Sequence, residues 1–120
     1  MVLQTSGLKE VTDMILLNSE ISSLSEHYNF LVHNEAVAEF VPHGFTKGTG
    51  IQKICELFDT DIADTFAFGD SVNDIDMLRV AGTSVVMGNG TDIAKAEADY
   101  ITTDILDDGI FNACKHFGLI

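Results

Sequence analysis

The chain reads as an α/β protein whose parallel sheet is covered by helices, and three features point there. From Thr65 onward, short apolar runs alternate with segments of helical period, which is the pattern of βαβ units. One of those runs, Ser84-Val85-Val86-Met87, suits both faces of a buried strand in a parallel sheet. The third feature is Phe66-Ala67-Phe68-Gly69, an apolar strand that breaks into the polar loop Asp70-Ser71-Val72-Asn73-Asp74 before a helix resumes with Ile75 and Leu78 facing inward.

Taken in order, Val11 to Leu17 predicts a strand, since Met14-Ile15-Leu16-Leu17 is apolar and Asn18-Ser19 closes it. Ser22 to His27 predicts one or two helical turns around Leu24. Phe30 to His33 and Ala36 to Val41 predict two strands about the turn-prone Asn34-Glu35, a hairpin. Pro42-His43-Gly44 marks the main boundary, so the domains are expected at 1–41 and 42–120. Thr46 can then cap a helix in which Ile51, Ile54, Cys55 and Phe58 recur at i, i+3, i+4 and i+7, one apolar stripe. The alternating part follows: strand 65–69, helix 74–81 ended by Gly82, strand 84–87, helix 91–97 capped by Thr91, strand 100–102, and helix 108–117 ended by Gly118. Crossovers between parallel strands should be right-handed.

With 120 residues, 46% of them hydrophobic, and a single Pro, the chain can bury a core of its own. Its formal charge of −13 argues against nucleic acid or an anionic membrane as partner. An anionic substrate would need a local positive device, a metal or one well-placed Lys among only six basic residues. Cys55 and Cys114 fall on apolar helix faces without paired spacing, which predicts reduced, packed thiols. The N-terminal Met-Val-Leu-Gln-Thr-Ser-Gly-Leu-Lys lacks the charge and apolar pattern of a signal peptide, and no run approaches the ~20 apolar residues of a bilayer span. A soluble, cytoplasmic protein is expected.

Candidate chemistry gathers at two places. Asp70 and Asp74, one at a strand tip and one on the next helix's first turn, can face a single hard cation, and Mg2+ is usually held by one or two carboxylates plus water and substrate phosphate. Helix capping would use the same two residues. Lys47, between Gly44-Phe45-Thr46 and Gly48-Thr49-Gly50, stands at a helix N-terminus where the dipole disfavours a cation. Such a conflict goes with anion binding, or with an ordinary surface Lys. Asn73 could donate its amide to a phosphate oxygen or cap the helix, and Ser71 could bond a ligand oxygen or serve the turn. Asp76, two positions past Asp74, is expected to face solvent. Met87-Gly88-Asn89-Gly90 predicts a tight loop on the same sheet edge. The four His residues, 27, 33, 43 and 116, have no ligand spacing, and no Ser-His-Asp, Cys-His, CxxC or dinucleotide fingerprint is present.

Gly44-Phe45-Thr46-Lys47-Gly48, then Gly69-Asp70-Ser71-Val72-Asn73-Asp74-Ile75-Asp76-Met77-Leu78, then Val86-Met87-Gly88-Asn89 resemble, in order and separation, the second half of Cof-type phosphatases of the haloacid dehalogenase (HAD) superfamily. Ala98-Asp99-Tyr100-Ile101-Thr102 and Asp107-Asp108-Gly109-Ile110 fit the same family. The likeness covers about residues 36 to 120 well and the start of the chain loosely. It implies a HAD-like, Rossmann-type parallel sheet with helices on both faces, of which 42–120 is the C-terminal half and 1–41 a remnant of an α+β cap. It also implies a Mg2+-dependent phosphatase of small phosphorylated metabolites that works through an aspartyl-phosphate. By position, Lys47 resembles the lysine that holds nucleophile and phosphate, Asp70 a metal ligand, and Asp74 its partner acting directly or through water. Asn73 and Asn89 fall on the substrate side.

The family's nucleophile lies in an Asp-x-Asp motif followed by a Ser or Thr, and neither is found in this sequence. Asp13 is followed by Met14-Ile15, and Asp59-Thr60-Asp61 comes after a helix. The chain is therefore expected to be about the last half of a longer protein and inactive alone. Its first core strand should present a bare edge that invites a homo-oligomer or domain swap. The competing expectation is a non-catalytic module that works through a partner chain.

Overall fold

The computed structural model describes residues 2–4, 23–34 and 37–120. The strand expected over Val11 to Leu17 lies outside the described residues. The chain divides into two compact units, Met1–Phe45 and Thr46–Ile120.

In the first unit, β1 (Val2–Gln4), β2 (Tyr28–Asn34) and β3 (Val37–Pro42) form an antiparallel sheet in the order β1-β3-β2. The hairpin is the one that the apolar runs around Asn34-Glu35 predict. Tyr28 pairs with Pro42 and Phe30 with Phe40, and a register shift between Val32 and Asn34 absorbs the approach to the turn. A 3₁₀ turn, Ser23–Glu26, precedes β2 where the helical turns are expected. Phe40, 7% exposed, is buried.

The second unit is the alternating part. It contains α1 (Lys47–Phe58), β4 (Phe66–Gly69), α2 (Ile75–Val80), β5 (Thr83–Val86), α3 (Asp92–Lys95), β6 (Tyr100–Ile101) and α4 (Gly109–His116). The three strands run parallel in the order β4-β5-β6, with Ala67 opposite Ser84, Gly69 opposite Val86 and Val85 opposite Tyr100. Val85 and Val86 are fully buried, as a strand covered on both faces requires. Ala67, Val86, Leu78 of α2 and Ala94 of α3 make one side of the core, with Ile51 of α1 packed against them. On the other face Phe66 meets Phe117 edge-on, their ring centroids 5.2 Å apart, and Tyr100 stacks on His116 at 4.2 Å. Helices thus cover both faces. Among the described strands β4 pairs with β5 alone.

Short 3₁₀ turns that the periodicity does not predict, Ile62–Asp64, Val72–Asp74 and Ile105–Asp107, lead into β4, α2 and α4. The apolar stripe expected on α1 is corrected by packing. Cys55 is buried, but Ile54 and Phe58 are 58% and 75% exposed, because the helix turns Gly48, Ile51 and Cys55 inward. Cys114 is half-buried, and both thiols are free. Among the described residues no helix is long and apolar enough to cross a membrane.

Leu78 is 2% exposed and bridges α2 to the sheet. Leu78→Ala should lower unfolding stability by about 2–5 kcal/mol with an unchanged denaturant slope, measured by urea titration.

Candidate functional site

Two turns of chain are brought together at the carboxyl end of β4. The first opens α1. Thr46 has extended backbone, and its hydroxyl oxygen accepts from the Thr49 N–H at 3.0 Å while the Thr46 N–H donates to Thr49 Oγ1 at 2.8 Å. This reciprocal cap, foreseen for Thr46, makes Lys47 the first helical residue. The second turn follows β4, where the chain folds back so that the Asp74 side chain lies under the strand tip. Gly69 permits it, since a Cβ there would meet Asp74 Cβ at 2.7 Å.

Lys47 and Asp74 meet. The Lys47 ammonium, on a half-exposed side chain, donates to Asp74 Oδ1 at 2.5 Å, while the Asp74 side chain is only 7% exposed. Asp74 Oδ2 accepts the backbone N–H groups of Asp70 at 3.0 Å and Ser71 at 3.3 Å. Burial pushes the Asp74 carboxyl up. The hydrogen bond from Lys47, those from Asp70 and Ser71, and the lysine charge outweigh it, and the group is held below the usual carboxylate range.

Asp70 is anchored at both sides of its backbone, donating to Asp74 and accepting from the Thr91 N–H at 2.8 Å. Its side chain is exposed, and no described residue bonds its carboxylate. The donor set thus holds one open carboxylate beside one engaged carboxylate. That fits Mg2+, which needs few protein oxygens and keeps several waters, better than a cation that demands a full protein cage. Among the described residues no group of three or more His, Cys, Asp or Glu could hold a metal by itself.

Asn73 is half-buried, and its Oδ1 accepts from the Ser71 hydroxyl, so both polar side chains of the loop are tied to each other. Asn89 is exposed, and its Oδ1 accepts from the Ile105 N–H at 3.0 Å, which pins the loop after β5 to the turn before α4. In neither residue does a described residue bond the amide NH2.

Asp76 is exposed, as expected, but it is also engaged. Its Oδ2 accepts from the Thr46 hydroxyl and, at 3.2 Å, from the Gly48 N–H. The geometry is forced by how closely α2 approaches α1, since a Cβ at Gly48 would lie 2.4 Å from Asp76 Oδ2. One signal in the sequence could have pointed to it. The first turn of α1 carries a Lys and no acid, so an anion from elsewhere is wanted there. Asp59 and Asp61 serve as caps: Asp59 ends α1 in the left-handed region at φ 52°, and Asp61 Oδ1 accepts from the Ala63 N–H.

Over residues 3–114 the chain matches the haloacid dehalogenase-like hydrolases. It is 42% identical over 87 residues to YkrA of Bacillus subtilis (strain 168), a match that takes in 72% of this chain and 34% of that protein. With the 5-amino-6-(5-phospho-D-ribitylamino)uracil phosphatase YcsE of the same organism it shares 41% identity over 76 residues, 63% of this chain and 30% of the relative. Among solved structures it is similar to a HAD subclass IIB sugar phosphatase, with a TM-score of 0.76, 40% identity, and coverage of 84% of this chain and 39% of the other. The chain thus spans between 30% and 39% of the length of these relatives. A match along nearly all of its own length, to a fold that the parallel sheet reproduces, settles the family: the chain belongs to the haloacid dehalogenase-like hydrolases.

Proposed function

We propose that this chain carries the charge-neutralising part of a Mg2+-dependent phosphatase that hydrolyses phosphomonoesters of small metabolites, sugar phosphates or similar. One observation carries the reading: a lysine at a helix N-terminus meets a buried aspartate whose hydrogen bonds hold a second, open aspartate at a strand tip. Family membership and the phosphatases among its relatives support it.

Asp70 would be the direct metal ligand. Asp74, with Oδ1 on Lys47 and Oδ2 on two N–H groups, would act through a metal-bound water. The metal, when bound, supplies Lewis-acid neutralisation of phosphoryl oxygens. Lys47 would bond the phosphate oxygens, and the amides of Asn73 and Asn89 would orient them. Phosphoryl transfer asks for this kind of positioning and charge neutralisation more than for covalent work by the surrounding groups. The attacking aspartate would come from an upstream segment, since Asp59 ends α1 and Asp61 caps the turn before β4, away from the carboxyl end of that strand. In that reading residues 1–41 close a substrate-selecting cap and 42–120 complete the core. A cytoplasmic location goes with it.

A second reading is favoured by β4, which pairs on one side only among the described strands. Here the chain would be a non-catalytic module joined to a copy of itself or to a partner chain through that edge. Size-exclusion chromatography with turnover of a generic aryl phosphate separates the two. A stable oligomer without Mg2+-dependent turnover, even when the chain is extended upstream, favours the module.

Under the phosphatase reading, Asp70→Asn should abolish Mg2+-dependent turnover in the upstream-extended protein, and chelation of the metal should do the same. Lys47→Ala should cost about 10²–10³-fold in kcat, the scale of removing one group that stabilises transition-state charge. Full activity in either variant refutes the roles. The lowered Asp74 carboxyl contributes stability that is present above its unfolded value of about 3.9 and lost as pH falls through the folded value. Urea midpoints of the native chain and of Asp74→Asn should therefore differ most near neutrality and converge in acid.

A further inference from the structure

We propose that Asp76 is the residue that positions Lys47, an inference that rests on the phosphatase reading for what Lys47 does but not for how it is held. Lys47 is a single residue between two that Asp76 grips. Thr46, before it, donates its hydroxyl to Asp76 Oδ2, and Gly48, after it, donates its N–H to the same oxygen. The Thr46 hydroxyl is used twice, because it also accepts from the Thr49 N–H. Thr49 in turn donates its own hydroxyl to the Thr46 carbonyl at 3.0 Å. The residues on both sides of Lys47, Thr46 by its side chain and Gly48 by its backbone, are therefore tied to the first turn of α2, the same turn that follows directly from Asp74.

This tie has an electrostatic side. An ammonium at the first position of α1 is opposed by the helix dipole, and α1 supplies no acid of its own in that turn. Asp76 brings a carboxylate to the same N-terminus from another element. It also sets the direction of approach, because the closeness of Asp76 to Gly48 leaves no room for a side chain there. With the turn fixed, the Lys47 ammonium reaches Asp74 Oδ1. The Thr46–Thr49 cap shapes the turn from within α1, and Asp76 is what ties that turn to α2.

The test reads Lys47 directly. Acylation of each lysine in the native 120-residue chain by a water-soluble amine reagent is followed by peptide mass spectrometry at constant pH. Asp76→Ala should raise the Lys47 rate about fivefold, the ratio expected from losing a helix-cap contact, and leave Lys53 unchanged, since that residue pairs locally with Glu56. Thr46→Val, which removes the hydrogen bond to Asp76 together with the cap on the Thr49 N–H, should raise the Lys47 rate at least as much. Asp76→Asn, whose carbonyl oxygen can accept both hydrogen bonds but carries no charge, should raise the rate less than Asp76→Ala does. An Asp76→Ala protein with a native Lys47 rate, while Asp74→Asn raises it, overturns the proposal. So does a rise shared equally by Lys53, which would mean general loosening. Failure of the phosphatase reading shows elsewhere, as undiminished turnover in Asp70→Asn with the Lys47 response intact.

Discussion

The arrangement at the strand tip depends on the ion pair between a helix-opening lysine and a buried aspartate. Neither partner is stable in its place without the other. A cation at the first position of α1 sits against the positive end of the helix dipole, and a carboxylate as buried as Asp74 pays for lost solvation. Brought to 2.5 Å, each offsets the other's penalty, and the two N–H groups of Asp70 and Ser71 satisfy the second carboxylate oxygen. The loop after β4 is thereby fixed in a shape that leaves the Asp70 side chain outside it.

Two glycines make that meeting sterically possible, and they act on different elements. Gly69 lets Asp74 fold against the end of β4, and Gly48 lets α2 come up against the first turn of α1. The core below supplies the rigidity. Val86 ends β5 and Ala67 lies two residues before the end of β4, the strand ends that carry the loops, and Leu78 and Ala94 hold the following helices on them. A site made of backbone N–H groups and short side chains can be no more precise than the sheet that carries it.

Much of this is legible in the sequence, and what is not has a common cause. The doubly buried strand at Val85-Val86, the Thr46 cap and the acidic turn after Gly69 are written in local pattern, since periodicity and cap chemistry act over a few residues. Lys47 and Asp74 can be paired only through their order in a family resemblance, because 27 positions separate them. Asp76 shows the limit most plainly. Helical geometry places it about 200° from Asp74 and so toward water, which holds for its exposure and misses that another helix's N-terminus waits there. The outward turn of Ile54 and Phe58 has the same origin, since the partner surface that chooses a helix's inner face is not in the helix.

Charge sets a further condition on any anionic ligand. At −13 the chain as a whole repels phosphate, yet carboxylates farther than the ~8–10 Å Debye length are largely screened in physiological salt. What counts is the charge within contact distance, and there the described cations are mostly committed elsewhere. Arg79 is held by Glu97 at 2.6 and 2.9 Å, Lys53 by Glu56 at 2.8 Å, and Lys115 lies over the Phe111 ring. Lys47 alone among these stands at the carboxyl end of the sheet, and it already shares its charge with Asp74. One shared ammonium beside the open carboxylate of Asp70 leaves a dianionic phosphate short of positive charge, so the proposed function requires a divalent cation on Asp70 to supply the rest.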